Sequence, residues 1–435
     1  MSRANPLDSK LGRIITFSLL YMSEGIPFGF SAIALVTYLR QSGVGLAEIG
    51  FFTAWLYGPW SFKWAWAPLV DLIQPKLLGP RKFWIASAQV MMIVTLGVVL
   101  AVDPGTNLVL LTLLIAIHNV FAATQDVAID ALAVSVLPEH ERGTANGFMF
   151  GSSYLGQAIG GSGALYVAGA FGFNWSYALV LGALAIILVA VTLRIQEPVY
   201  EAVEAAAQRT GSVISVFLSR LKAFLKDLYT GLFKSGRGPA LGVLFALLPP
   251  GTVALGLALG ATMQVDIGMD ENAIANLTLM TTVAAALGCV VGGWVSDRFG
   301  HRRMLAVWYI LTGFPTFWLA QKLVGNGMEG VTITEFFVVA VIYNFTSGLV
   351  AGTNLALFMG LTNPKVAATQ FTGYMAMRNV VYAYSATWQG QAAEANGYAW
   401  VLMIEIGLLA LPLILLPFLS PLRPVQVAEP APVID

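Results

Sequence analysis

The chain has 435 residues, of which 57% are hydrophobic and only 11% charged, against roughly 25% charged in an ordinary soluble domain. Its 23 basic and 23 acidic residues cancel to a formal net charge of zero, so nothing favours nucleic acid as a partner. Cys289 is the only cysteine and makes no intrachain disulfide, and His118, His140 and His301 lack metal-ligand spacing, so neither a metal nor a cofactor is expected.

Apolar runs recur at residues 13–39, 46–72, 83–102, 108–134, 143–169, 174–193, 239–263, 273–295, 304–323, 333–361, 366–392 and 397–420. Each is long enough to cross about 30 Å of hydrocarbon as a helix. Barrel strands would be shorter and polar at every second position. The expected fold is an all-α polytopic membrane protein with twelve transmembrane helices.

The first run carries Glu24 in its middle and has no convincing small-residue cleavage site, so it reads as a retained helix rather than a secretory signal. The second holds Lys63 among Trp55, Trp60, Trp64 and Trp66, tryptophans that suit packing or the membrane interface. On the fourth, Asn119, Asp126 and Asp130 share one helical face, with Gln125 beside them. Two neighbouring carboxylates resist simultaneous ionisation, which makes Asp126 and Asp130, with Glu24, candidates for carrying a proton. The alternative is a static cluster salt-bridged to Lys63. Lys63, Asn119 and Gln125 are also candidates for binding substrate, and the fifth run adds Gln157 to them.

Charge density jumps between residues 194 and 238, where no run is long enough to span. Val213, Val216, Phe217, Leu221, Phe224, Leu225, Leu228 and Leu232 recur there at helical spacing, with Arg220, Lys222 and Lys226 between them. This predicts an amphipathic helix, either at the inner membrane surface or docked on a partner. The expected organisation is a six-helix bundle over 1–193, a linker over 194–238, a second bundle over 239–420 and a disordered tail over 421–435.

Between the eighth and ninth runs lies GGWVSDRFGHRR, with Gly293, Asp297, Arg298, Gly300, Arg302 and Arg303. An aspartate at a helix end can hold the next helix's N-terminus and pair with arginines, while glycines allow close approach; the alternative is an ordinary charged turn. The tenth run has Asn344 and Asn354. The eleventh is polar along one stripe, Gln370, Tyr374, Arg378, Tyr382, Ser385 and Gln389, as a ligand cavity wall would be. Arg378 either grips a carboxylate or phosphate bidentately or serves as an internal counter-ion.

With the N-terminus inside, nineteen basic residues fall in cytoplasmic segments and only Arg40 and Lys322 outside, so both termini are expected in the cytoplasm. The halves also resemble each other: an offset of 226 carries Asp71 to Asp297, Pro138 to Pro364 and Gly147-Phe148-Met149 to Gly373-Tyr374-Met375. Such repeats place a binding site between two bundles near mid-membrane. The first copy of the loop is degraded, with Ala67 and Leu72 where Gly293 and Arg298 stand.

The GGWVSDRFGHRR loop resembles the cytoplasmic loop signature of the major facilitator superfamily. PWSFKWAWAPLVD (59–71), FAATQDVAID (121–130) and LPEHERGTANG (137–147) resemble the branch that contains bacterial muropeptide permeases and the acetyl-CoA transporters. TNPKVAATQFTGYMA (362–376) is similar to the muropeptide permeases, and SEGIPFG (23–29) to ferric-siderophore permeases. The resemblance implies two pseudo-symmetric six-helix bundles, alternating access, and uptake driven by the proton gradient across a bacterial inner membrane. It matches Gln125, Asp126 and Asp130 to a polar motif of the fourth helix and Lys63 to a lysine of the second.

The expected function is proton-coupled uptake of a small, anionic solute, with anhydromuropeptides first and a siderophore or acyl-CoA compound as the alternative. Two other readings are an intramembrane transferase using Asp126 and Asp130 to hold magnesium, and a scaffold that transports nothing. Protons and the lipid bilayer are the other expected partners.

Overall fold

The computed structural model describes residues 5–73, 75, 78–102, 107–197, 213–362 and 367–419, which are helical almost throughout, with no strand among them. Six spans form the first bundle: α1 (Lys10–Gln41), α2 (Leu46–Leu72), α3 (Lys82–Val99), α4 (Leu108–Val136), α5 and α6 (Phe173–Ala190). α5 runs from Glu139–Ala158 through a π-turn into Ala164–Phe171. A linker helix, α7 (Val213–Tyr229), leads to the second bundle. There the seventh span is in two pieces, α8 (Arg237–Ala246) and α9 (Ala258–Asp266). It is followed by α10 (Glu271–Phe299), α11 (His301–Leu323), α12 (Ile333–Leu361), α13 (Ala367–Asn396) and α14 (Tyr398–Leu408), with a short helical piece (Ala410–Leu415) and a 3-10 turn reaching Phe418.

Among the described residues, seven helices are long and apolar enough to cross a membrane on length and composition alone. The remaining spans are more polar or interrupted, as helices facing the inside of a bundle are free to be. The architecture is two bundles of six spans.

Lipid gives apolar helices no hydrophobic reason to associate, so close backbone packing does the work. A Cβ placed on Gly25, Gly29 or Gly160 would sit 1.8–2.3 Å from a carbonyl oxygen of the facing helix, which shows how tightly α1 and α5 meet. In the second bundle the same contact joins α10 to α12 through Gly288, Gly292, Gly348 and Gly352. Gly293 faces open space, so the close approach expected of it belongs to Gly292, one position earlier. Between the bundles, α2 and α13 touch at Gly50 and Gly390.

The linker helix lies against both bundles. Phe224 stacks on Trp64 of α2 with ring centroids 6.0 Å apart, and Leu228 fills the space over Gly373 of α13. Residues 198–212 of the linker and the whole predicted tail lie outside the described residues.

The seventh run, expected as one continuous helix over 239–263, is broken between Ala246 and Ala258. Pro249 and Pro250 explain it: proline lacks an N–H to donate and forces its predecessor out of the helical region. The freed main-chain groups are met by side chains of neighbouring spans, as an apolar surrounding requires.

Candidate functional site

A cavity of about 600 Å³ lies between the bundles, with walls from α1, α2, α5, α10, α12, α13 and the break in the seventh span. Aromatic rings from both halves meet on it: Tyr57 of α2 is 5.3 Å from Tyr382 of α13 and 5.8 Å from Phe28 of α1, centroid to centroid. Gln157, Asn354, Tyr382 and Arg378 line it together, joined by Asn344, Asn379 and Tyr154. Among the described lining residues Arg378 is the only charged one.

Arg378 is 7% exposed and makes no ion pair among the described residues. Its Nη1 donates to the Leu248 carbonyl at 2.8 Å, and its guanidinium carbon lies 5.6 Å from the Tyr382 ring. The carbonyl belongs to the broken segment, so the break positions the arginine and the arginine satisfies the break. The alternative role of internal counter-ion finds no acidic partner among the described residues.

The rest of the eleventh-run stripe turns away from the cavity. Gln370 donates to the Tyr374 hydroxyl at 3.2 Å, Tyr374 donates to the Pro239 carbonyl at 2.9 Å, and Gln389 donates to Glu405 at 2.6 Å. A stripe recurring every three or four residues drifts around a helix of thirty residues, so only its middle, Arg378 to Tyr382, faces the space between bundles. Asn354 reaches the Tyr309 hydroxyl only at 3.4 Å, and its Oδ1 is buried without a partner.

The acidic cluster forms inside the first bundle, off the cavity wall. Lys63 is ion-paired with Asp126. Asp130 accepts the Tyr21 hydroxyl at 2.5 Å. Gln125 donates to Ser23 at 2.9 Å, and Asn119 accepts the Trp60 indole N–H at 3.1 Å. Glu24 is 5% exposed, and one of its carboxylate oxygens has no hydrogen-bond partner. Asp126 is thus engaged by a lysine and Asp130 by a phenol, and no group of three or more His, Cys, Asp or Glu side chains able to hold a metal ion occurs among the described residues.

The loop motif sits at the end where the described residues begin and finish. Asp297 is exposed and meets His301, the first residue of α11, at 3.0 Å rather than the arginines. Arg298 lies over Trp294, Arg302 donates to the Pro417 carbonyl at 3.2 Å, and Arg303 is exposed. Gly300 adopts φ +93° between α10 and α11, a left-handed turn that suits glycine. In the first half Glu197 does the holding, accepting the main-chain N–H of Arg81 and Lys82 at 2.9 and 2.5 Å. The side chain of Asp71 lies outside the described ones.

At the opposite end the bundles are fastened together. Arg40 donates to both carboxylate oxygens of Asp266 at 2.6 and 2.7 Å, and Tyr398 donates to the same group at 2.7 Å. Glu394 accepts the Ala47 N–H at 2.7 Å, and Tyr166 donates to Asn276 at 2.6 Å.

Two functional candidates escaped the sequence reading. Glu405, 2% exposed on α14, accepts the N–H groups of Val253 and Ala254 at 2.9–3.2 Å. A lone acid within the last apolar run was its signal. Asp266 ends the seventh span, and its offset from Arg40 is the repeat period itself.

The family model of the Major Facilitator Superfamily matches residues 15–253 and 240–435. The anhydromuropeptide permease of Escherichia coli K12 is 27% identical over 406 residues, covering 92% of this chain and 78% of that one. A D-xylose–proton symporter superposes with a TM-score of 0.70 at 13% identity, covering 94% of this chain and 98% of that one. The nucleoside transporter NupG gives a TM-score of 0.68 at 14% identity, covering 94% of this chain and 98% of that one. With two bundles of six spans around a shared cavity, and a family match over nearly all of its length, this chain is a membrane transporter that belongs to the major facilitator superfamily and is similar to the anhydromuropeptide permeases within it.

Proposed function

We propose that this transporter carries a small anionic solute of the anhydromuropeptide kind through the cavity between its bundles, in symport with protons and into the cytoplasm. One observation supports the anionic substrate above the others: Arg378 is the only charged group lining the cavity among the described residues, and no carboxylate among them neutralises it. A cation in an apolar surrounding is expensive unless an anion or a chain of dipoles answers it. The Leu248 carbonyl answers one nitrogen, and the substrate's carboxylate answers the others, with the fork geometry that arginine offers. Tyr57, Tyr382 and Phe28 give flat apolar faces suited to a sugar ring.

The contacts at the end far from the termini support a state with that end shut and the cavity facing the termini. With the termini inside, as the basic residues favour, this is the inward-facing state of alternating access. The idle loop at Asp297 fits it, since a latch at the open end has nothing to hold. Proton coupling through Asp126, Asp130 or Glu24 remains the reading of the acidic cluster, with Lys63 as its counter-charge.

The test is direct binding to purified protein. An anhydromuropeptide with free carboxylates should bind, and its amidated analogue should bind at least tenfold more weakly. Equal affinity for both removes the anionic requirement. Tighter binding of a ferric siderophore or an acyl-CoA compound moves the assignment to those alternatives.

A further inference from the structure

We propose that Glu405 and Gln389 form a protonation site in the second bundle, and that its state of charge sets the shape of the cavity wall made by the broken seventh span. This deepens the transporter reading and rests on it, but it does not depend on which solute is carried or on the acidic cluster of the first bundle.

Glu405 is buried on α14 and makes no ion pair among the described residues. Its charge is held by dipoles instead. Both carboxylate oxygens face the amides of Val253 and Ala254, and Gln389 Nε2 donates to Oε1 at 2.6 Å. Three N–H donors suit the carboxylate form. The protonated form is provided for as well, because Gln389 Oε1 is buried and has no hydrogen-bond partner. An amide flip presents that oxygen to a carboxylic O–H, while the other carboxyl oxygen keeps the Val253 and Ala254 amides. Having partners in both states is what reversible protonation inside a membrane requires. A simple cap on a helix break would need only the first.

No other charged group among the described residues competes for the carboxylate. α13 contributes Gln389, and its Arg378 spends Nη1 on Leu248, at the other end of the break. α12 contributes the Tyr343 hydroxyl, which donates to the Thr252 carbonyl at 2.7 Å. α11 contributes Thr316, bonded to Thr252 at 2.9 Å and not ionisable. The break itself presents main-chain groups.

Val253, Leu255, Gly256 and Leu257 all line the cavity, so the segment that Glu405 holds is the wall itself. A hydrogen bond to a charged acceptor is about twice as strong as one between neutral groups. Proton binding therefore slackens the hold on Val253 and Ala254 and lets the wall move. The proton is taken from water reaching the cavity and returned to water, so one O–H bond forms and breaks and no co-reactant is needed.

Infrared difference spectra of the purified full-length protein, recorded as the pH is stepped, read the carboxylic C=O directly. One titrating band should vanish in Glu405→Gln and persist in Asp126→Asn and Asp130→Asn. An unchanged set of bands in Glu405→Gln overturns the proposal. Should that variant fail to fold, Gln389→Leu keeps both main-chain donors and should displace the band's pH midpoint; an unmoved midpoint overturns it equally. The wall is read by maleimide labelling of Val253→Cys in a Cys289→Ser background. Labelling should quicken several-fold as the pH falls and become pH-independent once Glu405→Gln is added. A titrating Glu405 with pH-independent labelling in the parent would overturn the link to the wall. No substrate enters these measurements, so their failure is distinct from a failure of the muropeptide assignment.

Discussion

The first bundle keeps its spans continuous and ties Lys63, Asp126 and Asp130 to other side chains, whereas the second breaks a span and ties Arg378 and Glu405 to the main chain of the break. Lys63 meets Asp126 and Asp130 meets Tyr21. Arg378 meets the Leu248 carbonyl and Glu405 meets the Val253 and Ala254 amides. The repeat offset carries Asp126 to Gly352 and Asp130 to Ala356, and carries Arg378 back to Ser152 and Glu405 to Leu179. The duplicated scaffold thus supports unduplicated chemistry. Where the repeat does pair charges is across the molecule, at Arg40 and Asp266, whose separation in sequence is 226.

The largest expected effect comes from unbalancing the first bundle. Lys63→Met leaves the Asp126 carboxylate without its cation, which should cost on the order of 3 kcal/mol and lower the melting temperature in detergent. Adding Asp126→Asn should restore most of that loss. If the double variant is no more stable than the single one, the pair does not share its energy as the contrast with the second bundle requires.

In the second bundle Arg378→Ala should weaken binding of an anionic solute by roughly 10- to 100-fold, the worth of a hydrogen bond to a charged group. Arg378→Lys should fall between, because it keeps the charge and loses the fork. Isothermal titration on folded protein measures it, and wild-type affinity in Arg378→Ala would return this residue to the role of fastening the break.

The contact that joins the bundles should have a smaller effect. Arg40→Ala removes a partly exposed bidentate pair worth about 1 kcal/mol, shifting the balance toward opening at the far end by several-fold. Cysteine labelling from that side should quicken, and the exchanged pair Arg40→Asp with Asp266→Arg should recover part of the closure. The smallest effect belongs to Asp297→Asn. Its side chain is exposed and meets only His301 here, so stability should change by less than about 0.5 kcal/mol. Accessibility should change only in so far as the opposite state is populated, which labelling across both faces measures.

Much of this is legible in the residues. The run of apolar segments, the loop motif and the 226-residue offset point to the number of spans and the two-bundle plan, and the cost of an unpaired charge already makes Lys63 the natural partner of Asp126. The glycines at i and i+4 in α1, α5, α10 and α12 are a readable packing signal that hydropathy alone passes over. Sequence spacing overreaches on α13, where Gln370, Tyr374 and Gln389 share the periodicity of Arg378 but lie too far along the helix to reach the cavity.

By itself, the sequence determined that the chain lives in a membrane, where its spans fall and which side chains are costly there, because these follow from the free energy of moving each residue between water and hydrocarbon. Which costly groups meet one another, and that Arg378 faces a cavity while Glu405 faces the break, were decided only by tertiary structure. Those outcomes depend on how helices distant in the chain turn and approach, and hydropathy carries no information about rotation around a helix axis.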